Sequence, residues 1–147
     1  MNHKLEICAN SAQSVINAEK GGAHRVELCA NLYEAGTTPS GGEIKLALDQ
    51  TAIEIYILVR PRGGDFVYSD LEFEIMKEDI RMAKQFGIHG IVSGILLADG
   101  SVDIERTKAL VELAAPLPFT FHRAFDVVKD QRMALEDVIR CGAQRIL

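Results

Sequence analysis

No apolar run in the 147-residue chain approaches the ~18 residues of a membrane-crossing helix, so no membrane partner is expected. The opening stretch MNHKLEICAN has no apolar signal core, and a cytoplasmic address follows as the default. Cysteine is scarce. Three residues without CxxC spacing do not make a disulfide framework, and reduced thiols are expected. Basic excess is absent too: the net charge of −5 argues against nucleic acid or an anionic membrane as the main partner. No Pro/Gly/Ser-rich linker or low-complexity segment divides the chain, which reads as a single domain over residues 1–147.

What the chain does have is alternation. Short segments rich in Ile, Val, Leu and Phe read as strands buried on both faces, at 4–9, 25–30, 53–60, 90–96, 118–123 and 145–147. Helical patterns lie between them. One runs from Ser11 to the Gly21–Gly22 pair, and a shorter one follows Pro39. Another spans Ser69, with Glu72 completing a capping box, to Gly87. The last two start at the N-caps Asp103 and Asp130 and end before Pro116 and at Gly142. This βα alternation implies a parallel sheet with right-handed crossovers. LEICAN (5–10) repeats as VELCAN (26–31), and a repeated βα unit favours a barrel over a doubly wound sheet. The expected fold is an incomplete TIM (β/α)8 barrel: about five βα units plus a sixth strand, the N-terminal part of a larger barrel. Its first and sixth strands would be bare edges, which aggregate or become buried in a homo-oligomer.

Ligand sites in such folds lie at the carboxyl ends of the strands. There the fifth strand, FTFHRAFD, delivers His122, Arg123 and Asp126. Thr120 and His122 share one face by the two-residue period. Phe119 and Phe121 take the other, under the helices. The third strand ends in RPRGGDF, carrying Arg60, Arg62 and Asp65, and the first two strands place Glu6 and Glu27 on the face of Cys8 and Cys29. Arginine forks suit carboxylate or phosphate groups, so Arg60, Arg62, Arg123, Asp65 and Glu6 are candidates for holding a small anionic ligand. Glu27, His122 and Asp126 are candidates for proton exchange. The alternative is an ion-pair network that merely ties strand ends together. Buried glutamates need partners, and the nearby arginines are the expected ones. Two thiols at matching positions on neighbouring strands could bind Cu(I), or could be small core residues; Cys141 reads as packing. DGSVD (99–103) reads as a turn and N-cap. His3, His24 and His89 give no ligand pattern.

RVELCANLYEAGTTPSGG, VRPRGGDFVYSDLE, DGSVD and TFHRAFD together closely resemble the CutC family, associated with copper homeostasis. The resemblance covers essentially the whole chain. It implies a TIM barrel in a cytoplasmic protein, here lacking roughly its last two strands and the Thr-Ser-Gly segment expected after Leu147. It also implies Cu(I) as cargo, with Cys8 and Cys29 matching the paired cysteines proposed as ligands in the family. Ala35 departs from the family's usual glycine, and Ser93 stands where other residues are common. Two functions remain open: Cu(I) binding in copper homeostasis, and a TIM-barrel enzyme acting on a small anionic metabolite.

Overall fold

The computed structural model describes residues 3–147. Six strands, β1 (Glu6–Ala9), β2 (Arg25–Leu28), β3 (Glu54–Leu58), β4 (Gly90–Ser93), β5 (Phe119–Phe121) and β6 (Arg145–Ile146), alternate with five helices. The helices are α1 (Ala12–Lys20), α2 (Gly41–Gln50), α3 (Asp70–Phe86), α4 (Ile104–Ala114) and α5 (Gln131–Cys141). The sheet order is β1-β2-β3-β4-β5-β6, with every pair parallel. Spatial order equal to sequence order is the signature of a barrel, because a doubly wound sheet reverses its order at a switch point. The molecule is an incomplete TIM barrel, with β1 and β6 each paired on one side only.

Local chemistry sets the boundaries. Ser11, Ser40, Ser69, Asp103 and Asp130 each accept a backbone N–H at a helix start, and Ser69 with Glu72 closes the capping box. Gly87 and Gly142 end α3 and α5 in the left-handed conformation that lacks a Cβ penalty. The helix after Pro39 is not the short one: α2 has 10 residues against 9 in α1. Residues 94–96 leave β4 because the chain turns there into the β4–α4 loop.

Each strand sorts its residues by the two-residue period. Val26, Leu28, Ile55, Ile57, Ile91 and Phe119 face outward and are fully buried with Val15, Ile44, Met76, Ile80 and Leu110 of the helices. Ala47, Ala83 and Ala114 let the helix backbones approach the sheet. Phe119 and Phe121 take this outward face, as the strand pattern requires, and are buried without remainder. The inward face carries Cys29, Tyr56, Leu58 and Val92, a second apolar cluster inside the barrel. A side chain at Gly90 would collide with the Tyr56 ring, so the absent Cβ leaves the ring its room.

Apolar side chains stand uncovered along both edges: Leu5 and Ile7 at β1, Leu135 and Ile139 on α5, and Leu147 after β6. A polypeptide of these 147 residues is therefore expected to self-associate through its edges. Size-exclusion chromatography with light scattering should show an oligomer or aggregate, and a monodisperse monomer would contradict this reading.

Candidate functional site

The inward residues of β1, β2 and β3 meet the βα loops, including His122 just after β5, in a cavity of about 690 Å³. Glu6, Cys8 and Glu27 line one side; Phe66, His122, Arg123 and Asp126 line another, with Leu32, Leu58 and Val127 among the apolar contacts. Of the residues singled out by the sequence, Arg60, Arg62, Asp65 and Cys29 are not in the cavity wall.

The sheet register explains the cysteines. Cys8 lies opposite Glu27, and the Cys29 N–H bonds Ala9 O at 2.9 Å, so Cys29 sits two residues further along its strand. Both side chains face inward, and their sulfurs are 3.8 Å apart. Cys8 is exposed and Cys29 is 2% exposed, packed beside Gly36 just after the turn Leu32–Glu34. The Cys29 thiol donates to a Cys8 thiolate, pulling the Cys8 pKa down to about 7 against opposing burial and the Glu6 charge. The same hydrogen bond pushes the Cys29 thiol up, and burial adds to it. Burial pushes Cys141 up to about 11. Thiolate is the reactive form, so alkylation of Cys8 should rise with pH through a midpoint near 7. Mass spectrometry of iodoacetamide-treated native protein at pH 6–8 should find the label on Cys8 before Cys29 or Cys141. Faster labelling of Cys141 would contradict the geometry.

Turn geometry shows why glycine is usual at position 35, while nothing in the structure explains the alanine. Ala35 closes the turn with φ 60°, a left-handed conformation favoured by glycine. The Arg60 guanidinium fixes this turn, donating from Nη1 to Glu34 O (2.6 Å) and Gly36 O (2.7 Å) and from Nη2 to Gly64 O (2.7 Å).

Glu6 ion-pairs Arg25, one strand away, not the strand-end arginines. Arg25 lies over the Tyr56 ring at 4.6 Å, as does Arg145 at 4.4 Å. Glu27 has no ion-pair partner among the described residues. Its pKa is pushed up to about 7, first by burial, then by the Cys8 and Glu6 charges, with Arg25 opposing. A carboxylate raised in this way costs stability as pH climbs from its ordinary range through 7.

Arg62 turns away from the cavity. It donates to Glu72 (2.6 Å), Asp65 (3.1 Å) and Val67 O (2.8 Å). Asp65 is held below its ordinary pKa, by the Val67 N–H and then by Arg62. Arg123 and Asp126 pair with each other at 2.7 Å on the exposed rim. Most of the arginine donors expected to be free for an anion are thus spoken for.

His122 caps the turn Arg123–Val127, with Nδ1 accepting from the Ala124 N–H at 3.2 Å. That bond puts the proton of the neutral ring on Nε2. Burial, then the Arg60 charge, holds the pKa down at about 3, so the imidazole stays neutral at physiological pH. Gly94 makes room for it: a Cβ there would lie 2.8 Å from Nδ1. Sequence reasoning missed Arg25, Tyr56, Phe66 and Arg145. Arg25 was within reach, since it shares a face with Glu27, but nothing local marks Phe66 as the ring between two loops.

Among the described residues there is no cluster of three or more His, Cys, Asp or Glu side chains arranged for a metal ion, and no helix long and apolar enough to cross a membrane.

The comparisons with known proteins agree with the architecture. The mouse "copper homeostasis protein cutC homolog" is 50% identical over 143 residues, covering 97% of this chain and 53% of the relative. A CutC family protein of Chromobacterium violaceum is 51% identical over 147 residues, covering 100% of this chain and 60% of the relative. The chain thus spans little more than half the length of these curated relatives. The crystal structure of the CutC protein from Streptococcus agalactiae superposes with a TM-score of 0.90 at 39% identity, covering 98% of this chain and 71% of that one. An oxaloacetate acetylhydrolase superposes at 0.68 with 13% identity, a likeness of fold alone. The sequence model of the CutC family matches residues 3–147, and the chain belongs to that family.

Proposed function

We propose that this chain serves copper homeostasis by binding Cu(I) between Cys8 and Cys29, in a reducing, cytoplasmic setting that keeps both thiols free. The observation that carries this reading is the 3.8 Å separation of the two sulfurs. Two metal–sulfur bonds of ~2.3 Å span at most ~4.6 Å, so the pair needs less than 1 Å of opening for linear coordination. Cu(I) accepts low coordination numbers and selects thiolate over carboxylate, so the two sulfurs suffice and Glu27 is not a third ligand.

Backbone geometry favours a metal over a disulfide. With strands ~4.8 Å apart and a two-residue offset at ~3.3 Å per residue, the Cα atoms are roughly 8 Å apart. A disulfide between Cα atoms more than ~7 Å apart requires backbone movement. The side chains bridge an ion with only that sub-ångström opening. Cys8 is ready to ligate at neutral pH, whereas Cys29 must release its proton on binding, so affinity rises with pH. Titration of the reduced protein with Cu(I) against a competing chelator tests the proposal. One tight site per chain supports it, and no competition with the chelator refutes it.

A second reading is favoured by Glu27, poised near neutrality, and neutral His122 lining the same cavity. In it the chain contributes to an enzyme acting on a small anionic metabolite. Glu27 and Asp126 exchange protons, neutral His122 donates a hydrogen bond from Nε2, and Arg123 on the rim holds the anion.

A further inference from the structure

The two sulfurs stand closer together than a linear site requires. Two bonds of ~2.3 Å to one ion separate their sulfurs by ~4.6 Å at 180°, but by only ~4.0 Å at the ~120° of a three-coordinate site. Cys8 and Cys29 are 3.8 Å apart, the spacing of two corners of a trigonal site. Among the described residues no third His, Cys, Asp or Glu is arranged to join them. There is room for a third donor on one side. Cys8 is exposed and lines the cavity of about 690 Å³, whereas Cys29 is packed beside Gly36 in the apolar cluster of Tyr56, Leu58 and Val92. Cys8 also borders a groove between β1 and α1. Its side chain nevertheless faces inward with that of Cys29, so an ion held by both sulfurs lies on the cavity side.

Cu(I) selects sulfur over the carboxylates of that wall, so the third corner suits a thiolate brought in through the cavity. Three thiolates around one Cu(I) carry excess negative charge, and Glu6 and Glu27 share the Cys8 side of the cavity. Glu6 already holds Arg25, while Glu27 has no ion-pair partner among the described residues. Like charges brought together cost affinity, so a thiol bearing a carboxylate is disfavoured there and one bearing an ammonium group is favoured. We propose that a small aminothiol enters the cavity and supplies the third sulfur to Cu(I) held by Cys8 and Cys29, with its ammonium group toward Glu27. This adduct is the species through which the ion is exchanged. The thiol proton goes to solvent, the thiol sulfur forms the third Cu–S bond, and the copper stays Cu(I). One cysteine–copper bond then breaks and that cysteine takes up a proton, which leaves the ion shared between the other cysteine and the thiol. The inference rests on the Cu(I) reading above and names the donor class that the site exchanges with.

The test is X-ray absorption at the copper edge of the Cu(I)-loaded protein, titrated without oxygen with cysteamine, 2-mercaptoethanol and 3-mercaptopropionate. Each concentration is counted as thiolate, and protein-bound copper is measured alongside by ultrafiltration. Cysteamine is expected to raise the shell from two sulfurs to three, with longer bonds, while the copper is still bound. Half-completion should need about tenfold less cysteamine than mercaptopropionate, with mercaptoethanol between them. Glu27→Gln should bring that ratio within about threefold, and an unchanged ratio there overturns the role of Glu27. If copper leaves for the thiols with the shell at two sulfurs throughout, the inference falls and the Cu(I) reading stands. A third sulfur before any thiol is added would come from a second copy of the chain and overturn the external donor. Equal affinity for the three thiols, or a preference for mercaptopropionate, overturns the choice of an aminothiol. A nitrogen or oxygen shell before any thiol is added brings down the Cu(I) reading and the inference with it.

Discussion

Cys8→Ser is expected to abolish tight Cu(I) binding, and Cys29→Ser to do the same, while Cys141→Ser leaves it intact. The sulfurs of the first two are 3.8 Å apart. Cys141 instead lies at the end of α5, its Sγ on the Ile104 carbonyl at 3.6 Å. Each of the two proposed ligands supplies half of a two-sulfur site. Losing one should therefore cost more than the roughly 10–100-fold that follows loss of an outer-shell partner. Competition titration of the three variants against one chelator measures this. Folding is controlled by circular dichroism, since Ser keeps the volume of Cys closely. If both single variants bind Cu(I) like the parent, the cysteines are core residues and the cavity around His122 is the remaining functional candidate.

Arg60→Ala should destabilise the protein by about 3–5 kcal/mol, because it removes a buried guanidinium from three carbonyls and leaves those acceptors unpaired. Urea denaturation measures it, and Arg60→Lys, with a single ammonium for three oxygens, should recover only part of the loss. Two of the three carbonyls belong to the Glu34–Gly36 segment beside Cys29, so the same substitution should speed alkylation of Cys29 in the native state. A change within ±0.5 kcal/mol, the range of an ordinary surface site, would show that Arg60 is not a clamp.

Arg60 also shows how far the sequence could be read. RPRGGDF announces a strand end rich in donors, and the donors are there. Which acceptors they serve depends on turns at Glu34–Gly36 and Gly63–Gly64, contributed by separate loops, and no local spacing encodes that meeting. The fold was far more legible. Buried parallel strands and capped helices are local patterns, so β1 to β6 and the caps at Ser69, Asp103 and Asp130 fall where period and capping chemistry place them. The LEICAN–VELCAN repeat put Cys8 and Cys29 on one face of adjacent strands, and the register turns that into a sulfur pair. Ion pairing was harder to read, because Glu6 could meet any inward cation; the parallel register gives it Arg25.

X-ray absorption at the copper edge of the Cu(I)-loaded protein tests the central claim most directly. The account predicts two sulfur neighbours at or slightly below ~2.3 Å, near-linear, with no nitrogen or oxygen neighbour, and loss of this two-sulfur shell in Cys29→Ser. A first shell of nitrogen or oxygen, or an unchanged sulfur shell in Cys29→Ser, would contradict it.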